Sequence, residues 1–384
     1  MLHVAAYFAP AFRYGGPPRS ILGLCQALGR AGIDVEVFTT TANGDTPLAA
    51  APGGVLCGGV RTRYFPLAWP RRSWRAAGLT SALADAVDDA ELVHVHGLWN
   101  ATAWTGMRIA HAARVPYVLS PRGMLQARAL ARHRTAKRIV DAAFQRRLVQ
   151  AASCLHATSV AEAQELADLG PRVATIANGV DARISSVDEI ERVRQTLNLP
   201  LSDETPIVTF IGRLHPIKRL DLVAAAFRLL RRDGRRAVLV VAGPDEGGHR
   251  RTIEPLFAES GDVRWIGPIE DDRKWALLGA SRALIQCSDS ESFGLSVAEA
   301  SSAGVPVVVT DRGAWSEVAR VGCGYVTAHE PAAIADALRC LLDAPERARA
   351  MGTRGQAWMR EQFGWDAIGR AMIREYERAC AASS

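Results

Sequence analysis

The feature that most constrains the fold is a regular alternation of short apolar runs with helix-length segments along nearly the whole chain. In the first half the apolar runs are HVAAYF (3–8), VEVFTT (35–40), LVHVH (92–96), YVLS (117–120) and VATIA (173–177). The pattern restarts with IVTFIGR (207–213), AVLVVAG (237–243), VRWIG (263–267), ALIQ (283–286) and VPVVVT (305–310). Strand–helix alternation predicts parallel sheets with helices on both faces. Two such series predict an α/β protein with two doubly wound, Rossmann-like domains.

Length and composition agree with a two-domain protein. A chain of 384 residues suits two domains of about 150–200 residues each. Hydrophobic residues make up 48% and charged residues 22% of the chain, which excludes wholesale disorder. The polar segment NGVDARISSVDEIERV (178–193) opens with an Asn-Gly turn and is the predicted connection. A division at this connection predicts one domain at residues 1–180 and a second at residues 181–363.

The chain carries the pattern of a reduced cytoplasmic protein. Its apolar runs are strand-sized, well short of the ~20 residues that a membrane-spanning helix needs. The first ten residues, MLHVAAYFAP, lack the basic region and cleavage site of a signal peptide. The seven cysteines show no C-x-x-C spacing, so neither a disulfide framework nor a zinc knuckle is expected.

The net charge of +6 is concentrated in two segments. One is PLAWPRRSWR (66–75), and the other runs from 122 to 147 with Arg122, Arg128, Arg132, Arg134, Lys137, Arg138, Arg146 and Arg147 against a single acid, Asp141. A solvated surface is one interpretation. A second is peripheral contact with anionic lipid at the inner face of the cytoplasmic membrane, with indole rings at the interface. Nucleic acid is a third, but no nucleic-acid motif accompanies the charge.

Ligands of doubly wound sheets lie beyond the carboxyl ends of the strands, and the first such position holds the turn RYGGPP (13–18). Gly15 and Gly16 bring bare backbone close to a ligand, and the prolines suit a helix's first turn. Neither G-x-G-x-x-G nor G-x-x-x-x-G-K-[ST] occurs in the chain. The chain therefore lacks the main sequence motifs of dinucleotide-binding oxidoreductases and of P-loop nucleoside triphosphatases.

Two cations follow the first strand of the second domain, in GRLHPIKRLD (212–221). Arg213 and Lys218 are expected to project from the strand end and the next helix start into one crevice. Two cations beside helix N-termini suit a diphosphate better than a carboxylate.

Two glutamates flank a predicted helix start in SESFGLSVAE (290–299). If the helix begins near Phe293, Glu291 precedes it and Glu299 lies well within it. Eight helical residues span ~12 Å, whereas a glycosidase pair needs carboxyl groups within ~5–9.5 Å. A ligand lying across the helix start fits better, with phosphate at the N–H groups of residues 293–295 and hydroxyls at the carboxylates.

Together these residues resemble a known family. ESFGLSVAE followed by ASSAGVPVV resembles the E-x7-E signature of retaining nucleotide-sugar glycosyltransferases with the GT-B fold, the group 1 or family 4 type. The resemblance covers nearly the whole chain, through HVHG (94–97), NGVD (178–181), GRLHPIK (212–218) and GPDEGG (243–248). It is nearest to bacterial enzymes that build exopolysaccharide or lipid-linked repeat units.

The resemblance implies two domains facing across a cleft and a role for each motif. Arg213 and Lys218 would hold the donor diphosphate, Glu299 the ribose and Glu291 the transferred sugar. Further donor contacts would come from Gly15, Gly16, Phe293, Gly294, Leu295, Gly267 and Ile269. The donor would be a UDP- or GDP-sugar, no cofactor would be required, and the acceptor would be a glycan or a polyprenyl-diphosphate-linked sugar. The terminal helix, about 364–384, would return to the first domain.

One position departs from the family pattern. The family often has a histidine after the strand that here reads PYVLSPRGM, and Arg122 takes that place. Arginine stays protonated and cannot act as a base, so Arg122 is expected to bind an anionic acceptor or the donor phosphate, with Trp99 as a further acceptor contact. His96 is the neighbouring catalytic candidate, expected at the strand end and facing the cleft, with His94 buried beside it.

Several alternatives stay open at this point. His94 and His96 share a strand face, but no third ligand is evident, so no metal is expected. Asp289-Ser290-Glu291 resembles the D-x-D motif of a different, single-domain glycosyltransferase fold. A GT-B-fold epimerase or phosphorylase and a non-catalytic nucleotide-sugar binder are the rival functions.

Overall fold

Both halves of the chain fold into sheets of mainly parallel strands with helices between them. The computed structural model describes residues 1–125, 144–202, 204–245, 247–269 and 271–382. It divides into two units, Met1–Gly179 with Trp365–Ser384 and Val180–Gly364, and each boundary lies within one residue of the predicted position. Of the basic segment 122–147, the residues Arg128, Arg132, Arg134, Lys137 and Arg138 lie outside the described residues.

The first unit contains an eight-stranded sheet in the order β3-β4-β2-β1-β5-β6-β7-β8. Its strands are β1 (Leu2–Ala5), β2 (Glu36–Thr40), β3 (Ala51–Cys57), β4 (Val60–Phe65), β5 (Val93–His96), β6 (Tyr117–Ser120), β7 (Cys154–Ala157) and β8 (Val173–Thr175). Between them lie α1 (Gly16–Arg30), α2 (Leu79–Val87), α3 (Ala101–Ala112), α4 (Arg146–Gln150) and α5 (Val160–Leu166). Neighbouring strands are parallel except at the β3–β4 edge.

The second unit contains a six-stranded, wholly parallel sheet in the order β11-β10-β9-β12-β13-β14. Its strands are β9 (Ile207–Ile211), β10 (Val238–Ala242), β11 (Asp262–Gly267), β12 (Ala283–Gln286), β13 (Val307–Thr310) and β14 (Gly324–Thr327). Its helices are α6 (Val187–Thr196), α7 (Leu220–Arg232), α8 (His249–Ile253), α9 (Asp271–Ala280), α10 (Leu295–Ser302), α11 (Glu317–Val321), α12 (Pro331–Asp343) and α13 (Pro345–Gln362). Strand order reverses between β9 and β12 here, and between β1 and β5 in the first unit.

The predicted strands are confirmed to within a few residues because most of them are buried on both faces. Every residue of β1, β5, β6, β10, β12 and β13 is buried, so these strands read as continuous apolar runs. The strands that the pattern missed are β3, β4, β7 and β14. In β3 the interior residues are exposed, so this edge strand lacks the apolar signal.

The predicted connection between the domains is partly helical. Ser186 caps α6, because its hydroxyl accepts a hydrogen bond from the Glu189 N–H at 3.2 Å, and the Glu189 carboxylate accepts one from the Ser186 N–H at 2.8 Å. This capping box marks the start of a helix within segment 178–193, and the helix belongs to the second unit.

A final helix, α14 (Trp365–Ala381), belongs to the first unit, as the resemblance implied. Its first residue, Trp365, packs where two glycines leave room for the indole ring. A Cβ at Gly23 of α1 would lie 2.1 Å from a ring carbon, and a Cβ at Gly179 would lie 2.3 Å from another. The close packing of α14 therefore depends on the absence of side chains at these two positions.

No helix among the described residues combines the length and the apolar character needed to cross a bilayer.

We expect Gly23→Val to destabilise the first unit by about 1–3 kcal/mol, the usual cost of overpacking, because the new side chain would displace Trp365. Gly29→Ala on the same helix is the matched control. Gly29 has no atom within 4 Å of its Cβ position, so alanine there gains about 0.5–1 kcal/mol of helix propensity. Differential scanning calorimetry distinguishes the two. Equal melting temperatures for Gly23→Val and wild type would contradict the packing account.

Candidate functional site

The turn after β9 holds the two cations that the sequence singled out. The chain leaves the strand with Gly212 N–H donating to the Ala242 carbonyl at 3.0 Å and Leu214 N–H donating to the Pro244 carbonyl at 2.8 Å. His215 then accepts a hydrogen bond from the Ile217 N–H at 3.1 Å and opens a single 3-10 turn, Pro216–Lys218. Arg213 and Lys218 are both half-buried in this segment. The backbone hydrogen bonds of the turn fix the positions of their Cα atoms.

Lys218 forms an ion pair with Glu291, which lies in the turn after β12. The same carboxylate oxygen, Oε1, accepts hydrogen bonds from Gln286 Nε2 at 2.8 Å and Ser288 Oγ at 2.7 Å. Burial opposes ionisation, but the Lys218 ammonium and these two donors hold the pKa of Glu291 below its ordinary value. The other oxygen, Oε2, accepts no hydrogen bond within the described part of the chain. A sugar hydroxyl is a suitable donor for it.

The helix that follows Glu291 and contains Glu299 begins later than expected. Gly294 is its N-cap, in a left-handed conformation (φ 80°), and α10 starts at Leu295. Phe293 is a core residue, 5% exposed, whose ring packs against Trp315 and Phe363. A Cβ at Gly294 would lie 2.9 Å from the Trp315 indole nitrogen. The expectation of a helix from Phe293 is therefore wrong, because the aromatic cluster requires a glycine in a non-helical conformation here.

Glu299, the second glutamate, is buried in α10 and forms an ion pair with Lys274 of α9, with Nζ 2.6 Å from Oε1. Only 10% of the Glu299 side chain and 6% of the Lys274 side chain are exposed. Sequence reasoning missed Lys274. The available signal was a lysine directly before the apolar stretch WALLGA (275–280) of a predicted helix.

The loop that holds the expected donor contacts Gly267 and Ile269 follows β11 at the edge of the sheet. Gly267 ends this strand with φ 70°, and its carbonyl accepts a hydrogen bond from the Gly243 N–H at 2.8 Å. Ile269 is half-buried and packs against a small apolar cluster of the second unit. Both residues therefore lie at the carboxyl end of a strand, where the sequence placed them.

Asp289 does not form a free carboxylate pair with Glu291. Its Oδ1 is 3.1 Å from Arg219 Nη1 and 3.0 Å from His329 Nε2. Each carboxylate of the D-x-D-like triplet thus has its own cationic or hydrogen-bonding partner, an arrangement that does not offer two open ligands to a metal ion.

In the first unit, the Gly-Gly turn forms the start of α1. Gly15 is the N-cap with φ 86°, Gly16 is the first helical residue, and the prolines follow in the first turn. These features match the sequence prediction. Pro17 and Pro18 carry no N–H, and the Gly15 N–H donates to the Phe12 carbonyl at 3.0 Å, so the Gly16 N–H is the glycine donor of this turn that suits an anion.

Arg122 follows β6 in a left-handed conformation (φ 53°) and is half-buried. Its Nη1 donates to Ser20 Oγ at 2.9 Å and to Asn178 Oδ1 at 3.2 Å, and its Nη2 donates to His96 Nδ1 at 3.2 Å. These partners are neutral, and no carboxylate of the described residues forms an ion pair with it. Burial lowers the pKa of Arg122, but the guanidinium stays a cation near neutral pH. The negative charge of the buried Glu162, which accepts a hydrogen bond from the adjacent Gly123 N–H, opposes this lowering of the Arg122 pKa.

His96 is buried, so the expectation that it faces the cleft is wrong. It is 3% exposed, and both ring nitrogens are hydrogen-bonded. Because Arg122 only donates, His96 Nδ1 accepts, and its Nε2–H donates to His3 Nδ1 at 2.9 Å. The physical reason is the central position of β5, whose side chains are covered on both faces.

His94 belongs to a second hydrogen-bonded chain, which ends on a backbone carbonyl. His156 Nε2–H donates to the Ile176 carbonyl at 2.8 Å, so His156 Nδ1 accepts from the Ser120 hydroxyl at 2.6 Å. The Ser120 oxygen accepts from His94 Nε2–H at 2.7 Å, and His94 Nδ1 accepts from the Tyr376 hydroxyl at 2.7 Å. Every ring in this chain is therefore neutral, with an assigned tautomer.

His3 supplies the third histidine that the sequence did not reveal. His3, His94 and His96 bring one ring nitrogen each within 4.8 Å of the others. Both nitrogens of His94 and of His96 are already hydrogen-bonded, and the Arg122 cation lies beside the group. These contacts disfavour a bound metal ion and suit a buried polar network instead.

Trp99, the other expected acceptor residue, is half-buried with φ 58°. Its indole N–H donates to the Met124 carbonyl at 2.9 Å. This contact joins the turn after β5 to the turn after β6, beside Arg122.

Two family models match the chain, one in each unit. The model described as "Glycosyl transferases group 1" matches residues 193–358, and the model described as "Glycosyl transferase 4-like domain" matches residues 15–179.

Curated relatives match over nearly the full length. The D-inositol 3-phosphate glycosyltransferase of Nocardia farcinica is 31% identical over 388 residues, covering 95% of this chain and 85% of the relative. The protein of the same name from Streptomyces scabiei is 30% identical, covering 95% of this chain and 86% of its own.

Solved structures share the fold at lower identity. Sucrose-phosphate synthase from Thermosynechococcus elongatus superposes with a TM-score of 0.76 at 21% identity, covering 100% of both chains. Anabaena HepE in complex with UDP and glucose superposes with a TM-score of 0.76 at 18% identity, covering 98% of this chain and 99% of the other. The fold of this chain is the GT-B fold.

We expect the melting temperature of the first unit to fall as the pH drops below about 6.5. Burial, reinforced by nearby positive charge, lowers the pKa of His3 to about 3 and of His156 to about 4, and holds the pKa values of His94 and His96 well below 6.5. The unfolded chain therefore binds more protons than the folded one between pH 6.5 and about 4. Each histidine removes up to about 1.4 kcal/mol of stability per pH unit in this window.

Calorimetry from pH 7.5 to 5.0 measures this dependence in wild type and in His156→Gln. Glutamine preserves one donor and one acceptor but does not titrate, so the pH dependence should become shallower by about a quarter of the four-histidine slope. His111→Gln, at an exposed position of α3, is the control and should retain the wild-type slope. An identical slope in His156→Gln and wild type would contradict the neutral-histidine assignment.

Proposed function

Because this chain belongs to the glycosyl transferases group 1 family, we propose that it is a retaining hexosyltransferase. It moves a hexosyl unit from a UDP- or GDP-sugar to a hydroxyl of a glycan or lipid-linked sugar in exopolysaccharide or cell-surface glycan biosynthesis. The observation that carries this proposal is the Lys218–Glu291 ion pair. It places a cation suited to phosphate beside a carboxylate suited to sugar hydroxyls, at the point where strand order reverses in the second unit.

In this proposal the second unit binds the donor. Arg213 and Lys218 bind the diphosphate, Glu291 accepts hydrogen bonds from the transferred sugar, and Glu299 accepts them from the ribose. The N–H groups at residues 293–295 contact sugar or phosphate, and Gly267 and Ile269 border the base. The UDP-bound structure of Anabaena HepE makes uridine the first base to test.

Charge stabilisation does the catalytic work in this proposal. As the bond between the anomeric carbon and the phosphate oxygen breaks, negative charge grows on the diphosphate, and Lys218 and Arg213 neutralise it without a metal ion. Removing one comparable donor in other enzymes costs ~10²–10³-fold in rate. The acceptor hydroxyl attacks the face that the phosphate leaves, and its proton passes to the departing phosphate oxygen. This route needs no protein base, in accord with the burial of His96 and the permanent charge of Arg122.

The first unit binds the acceptor in this proposal. Arg122 donates its described hydrogen bonds to neutral groups, which leaves a cation suited to an anionic acceptor, and Trp99 lies next to it along the strand ends. The Gly15–Gly16 turn offers the Gly16 N–H and an approach unhindered by side chains to a phosphate. The relatives act on a phosphorylated acceptor according to their name, D-inositol 3-phosphate glycosyltransferase. A phosphorylated or diphosphate-linked sugar is therefore the acceptor class to test.

Transfer should require Lys218 and Glu291. Wild type is first screened by thermal shift with UDP, GDP and ADP, and then assayed for donor consumption with the sugars of the stabilising nucleotide. Glu291→Ala and Lys218→Ala should each lower turnover by about 100-fold or more while remaining folded by circular dichroism. Glu346→Ala, at a carboxylate with an 84% exposed side chain, is the control and should match wild type.

The outcomes separate the rival functions. Unchanged turnover in both site variants would remove the site assignment. Nucleotide binding without consumption of any donor would favour a non-catalytic binder, and a lysine-linked pyridoxal absorbance would favour a phosphorylase. The anomeric configuration of the product, read by NMR, decides retention.

We also propose peripheral contact with an anionic membrane through a groove of about 760 Å³ in the first unit. The groove lies between α2, α3 and α4. Its lining includes Arg75, Arg108 and Arg147 together with Trp104 and Phe144, and none of its described lining residues is acidic. The two aromatic rings pack edge to face at 5.1 Å. Cationic rims around aromatic side chains suit lipid headgroups at an interface.

The charge-reversed variant Arg108→Glu/Arg147→Glu should bind vesicles containing anionic lipid about tenfold or more weakly than wild type, since each nearby cation contributes ~1 kcal/mol. Flotation at low and high salt measures this binding, and high salt should weaken the wild type as well. Arg320→Glu/Arg360→Glu carries the same charge change at exposed positions of the second unit and should bind like wild type. Equal flotation of both variants would refute the groove as the contact.

A further inference from the structure

The buried ion pair between Lys274 and Glu299 points to a role for a residue that no motif singles out. Lys274 Nζ lies 2.6 Å from Glu299 Oε1, and the two side chains are 6% and 10% exposed. We propose that Lys274 is a positioning residue for nucleotide recognition. It holds Glu299 as an oriented, ionised carboxylate that accepts hydrogen bonds from the vicinal hydroxyls of a ribose. This inference rests on the proposed donor site.

The two residues come from the elements that the proposed site assigns to adjacent parts of the nucleotide. Lys274 lies in α9, which follows the Gly267–Ile269 loop proposed to border the base. Glu299 lies in α10, whose start is proposed to receive phosphate or sugar. The ribose of a nucleoside diphosphate lies between its base and its phosphates, so a carboxylate between these two elements matches the order of groups in the ligand.

Buried neighbours restrain both side chains. Trp275, directly after Lys274, is 5% exposed, and Ala298 and Ala300 on either side of Glu299 are fully buried. Long ionisable side chains in such surroundings lose their alternative rotamers, so the pair keeps one geometry before any ligand arrives. Pre-organised contacts reduce the ordering cost of binding.

The protonation state of Glu299 matters because a carboxylate and a carboxylic acid differ in the hydrogen bonds that they can form. A carboxylate accepts only, whereas a carboxylic acid also donates one hydrogen bond. The Lys274 ammonium donates to Glu299 Oε1 at 2.6 Å, a contact that a carboxylate accepts. The Glu299 Oε2 accepts no hydrogen bond from any described residue, and its lone pairs suit two adjacent hydroxyl donors.

Glu291 and Glu299 differ in how many groups orient them. Three donors converge on Glu291, namely Lys218, Gln286 and Ser288. Lys274 is the one described donor to Glu299. Replacing Lys274 should therefore disturb the proposed ribose contact and leave the proposed sugar contact intact.

The experiment compares binding of a ribonucleotide with binding of its deoxy form. Isothermal titration measures the dissociation constants of UDP, 2′-deoxy-UDP and 3′-deoxy-UDP, or of the corresponding GDP or ADP set if wild type binds that base. Wild type should prefer the ribonucleotide by about tenfold or more, since a site built to bind a hydroxyl rejects an analogue that lacks it. Lys274→Met should weaken ribonucleotide binding by about tenfold or more, leave deoxynucleotide binding nearly unchanged, and so abolish the preference.

Matched variants separate positioning from general damage. Glu299→Gln should lose the same preference, and Lys274→Met/Glu299→Gln should be no weaker than the weaker single variant, because both act through one contact. Arg273→Met removes an exposed cation from the neighbouring position of α9 and should bind like wild type. If Lys274→Met does not fold, Lys274→Ala, which likewise removes the donor to Glu299, carries the same comparison.

Two results would overturn the proposal. One is a folded Lys274 variant that retains the wild-type preference for the ribonucleotide, and the other is equal weakening of ribo- and deoxynucleotide binding. Failure of wild type to bind any of the three nucleoside diphosphates would instead remove the proposed donor function. The two failures are therefore distinguishable.

Discussion

The pairing of Lys218 with Glu291 is the interaction on which the second unit's site depends. Lys218 follows β9 and Glu291 follows β12, the two neighbouring strands from which the sheet is built outward in opposite directions. Helices on either side of this point diverge, so the strand ends there are open to a ligand. An ion pair between the two turns fixes their spacing, and Gln286 and Ser288 fix the carboxylate within the pair. The other candidate residues lie near this pair. Glu299 lies in α10, the helix that follows the turn of Glu291, and Arg213 follows the end of β9.

The first unit uses the same topological position with a different electrostatic arrangement. Its histidines are buried and neutral, and their hydrogen bonds run from Arg122 to His3 and from Tyr376 to the Ile176 carbonyl. Arg122 therefore contributes the charge of this group. The acceptors that Arg122 binds are neutral, although the buried Glu162 carboxylate acts on it electrostatically, whereas the second unit pairs each of its lysines with a carboxylate in direct contact. The two units thus offer distinct chemistry from similar architecture, which is consistent with separate proposed roles for acceptor and donor.

Particular residues show how far sequence reasoning extends. The Gly-Gly turn, the cations after β9, and the glutamates before and within α10 were all placed on the correct elements, since each lies close to a recognisable strand or helix start. The expectations that failed concern contacts over long sequence separations. His96 was expected to be accessible, but its neighbours on β1 and β6 bury it. Lys274 and His3 were missed because their partners lie 25 and 93 residues away. The helix start at Leu295 was misplaced because Trp315 packs against Gly294.

The sequence by itself determined the fold class, the two-domain organisation and the identity of the main charged residues, because strand length, apolar periodicity and turn chemistry are local properties. It also placed Arg122, a permanent cation, directly after the predicted strand YVLS (117–120). Only the tertiary structure decided which charges neutralise one another, which histidines lose contact with water, and which carboxylate oxygens stay open to a ligand. These properties depend on strand order, and the reversals between β1 and β5 and between β9 and β12 bring together side chains that no local pattern relates.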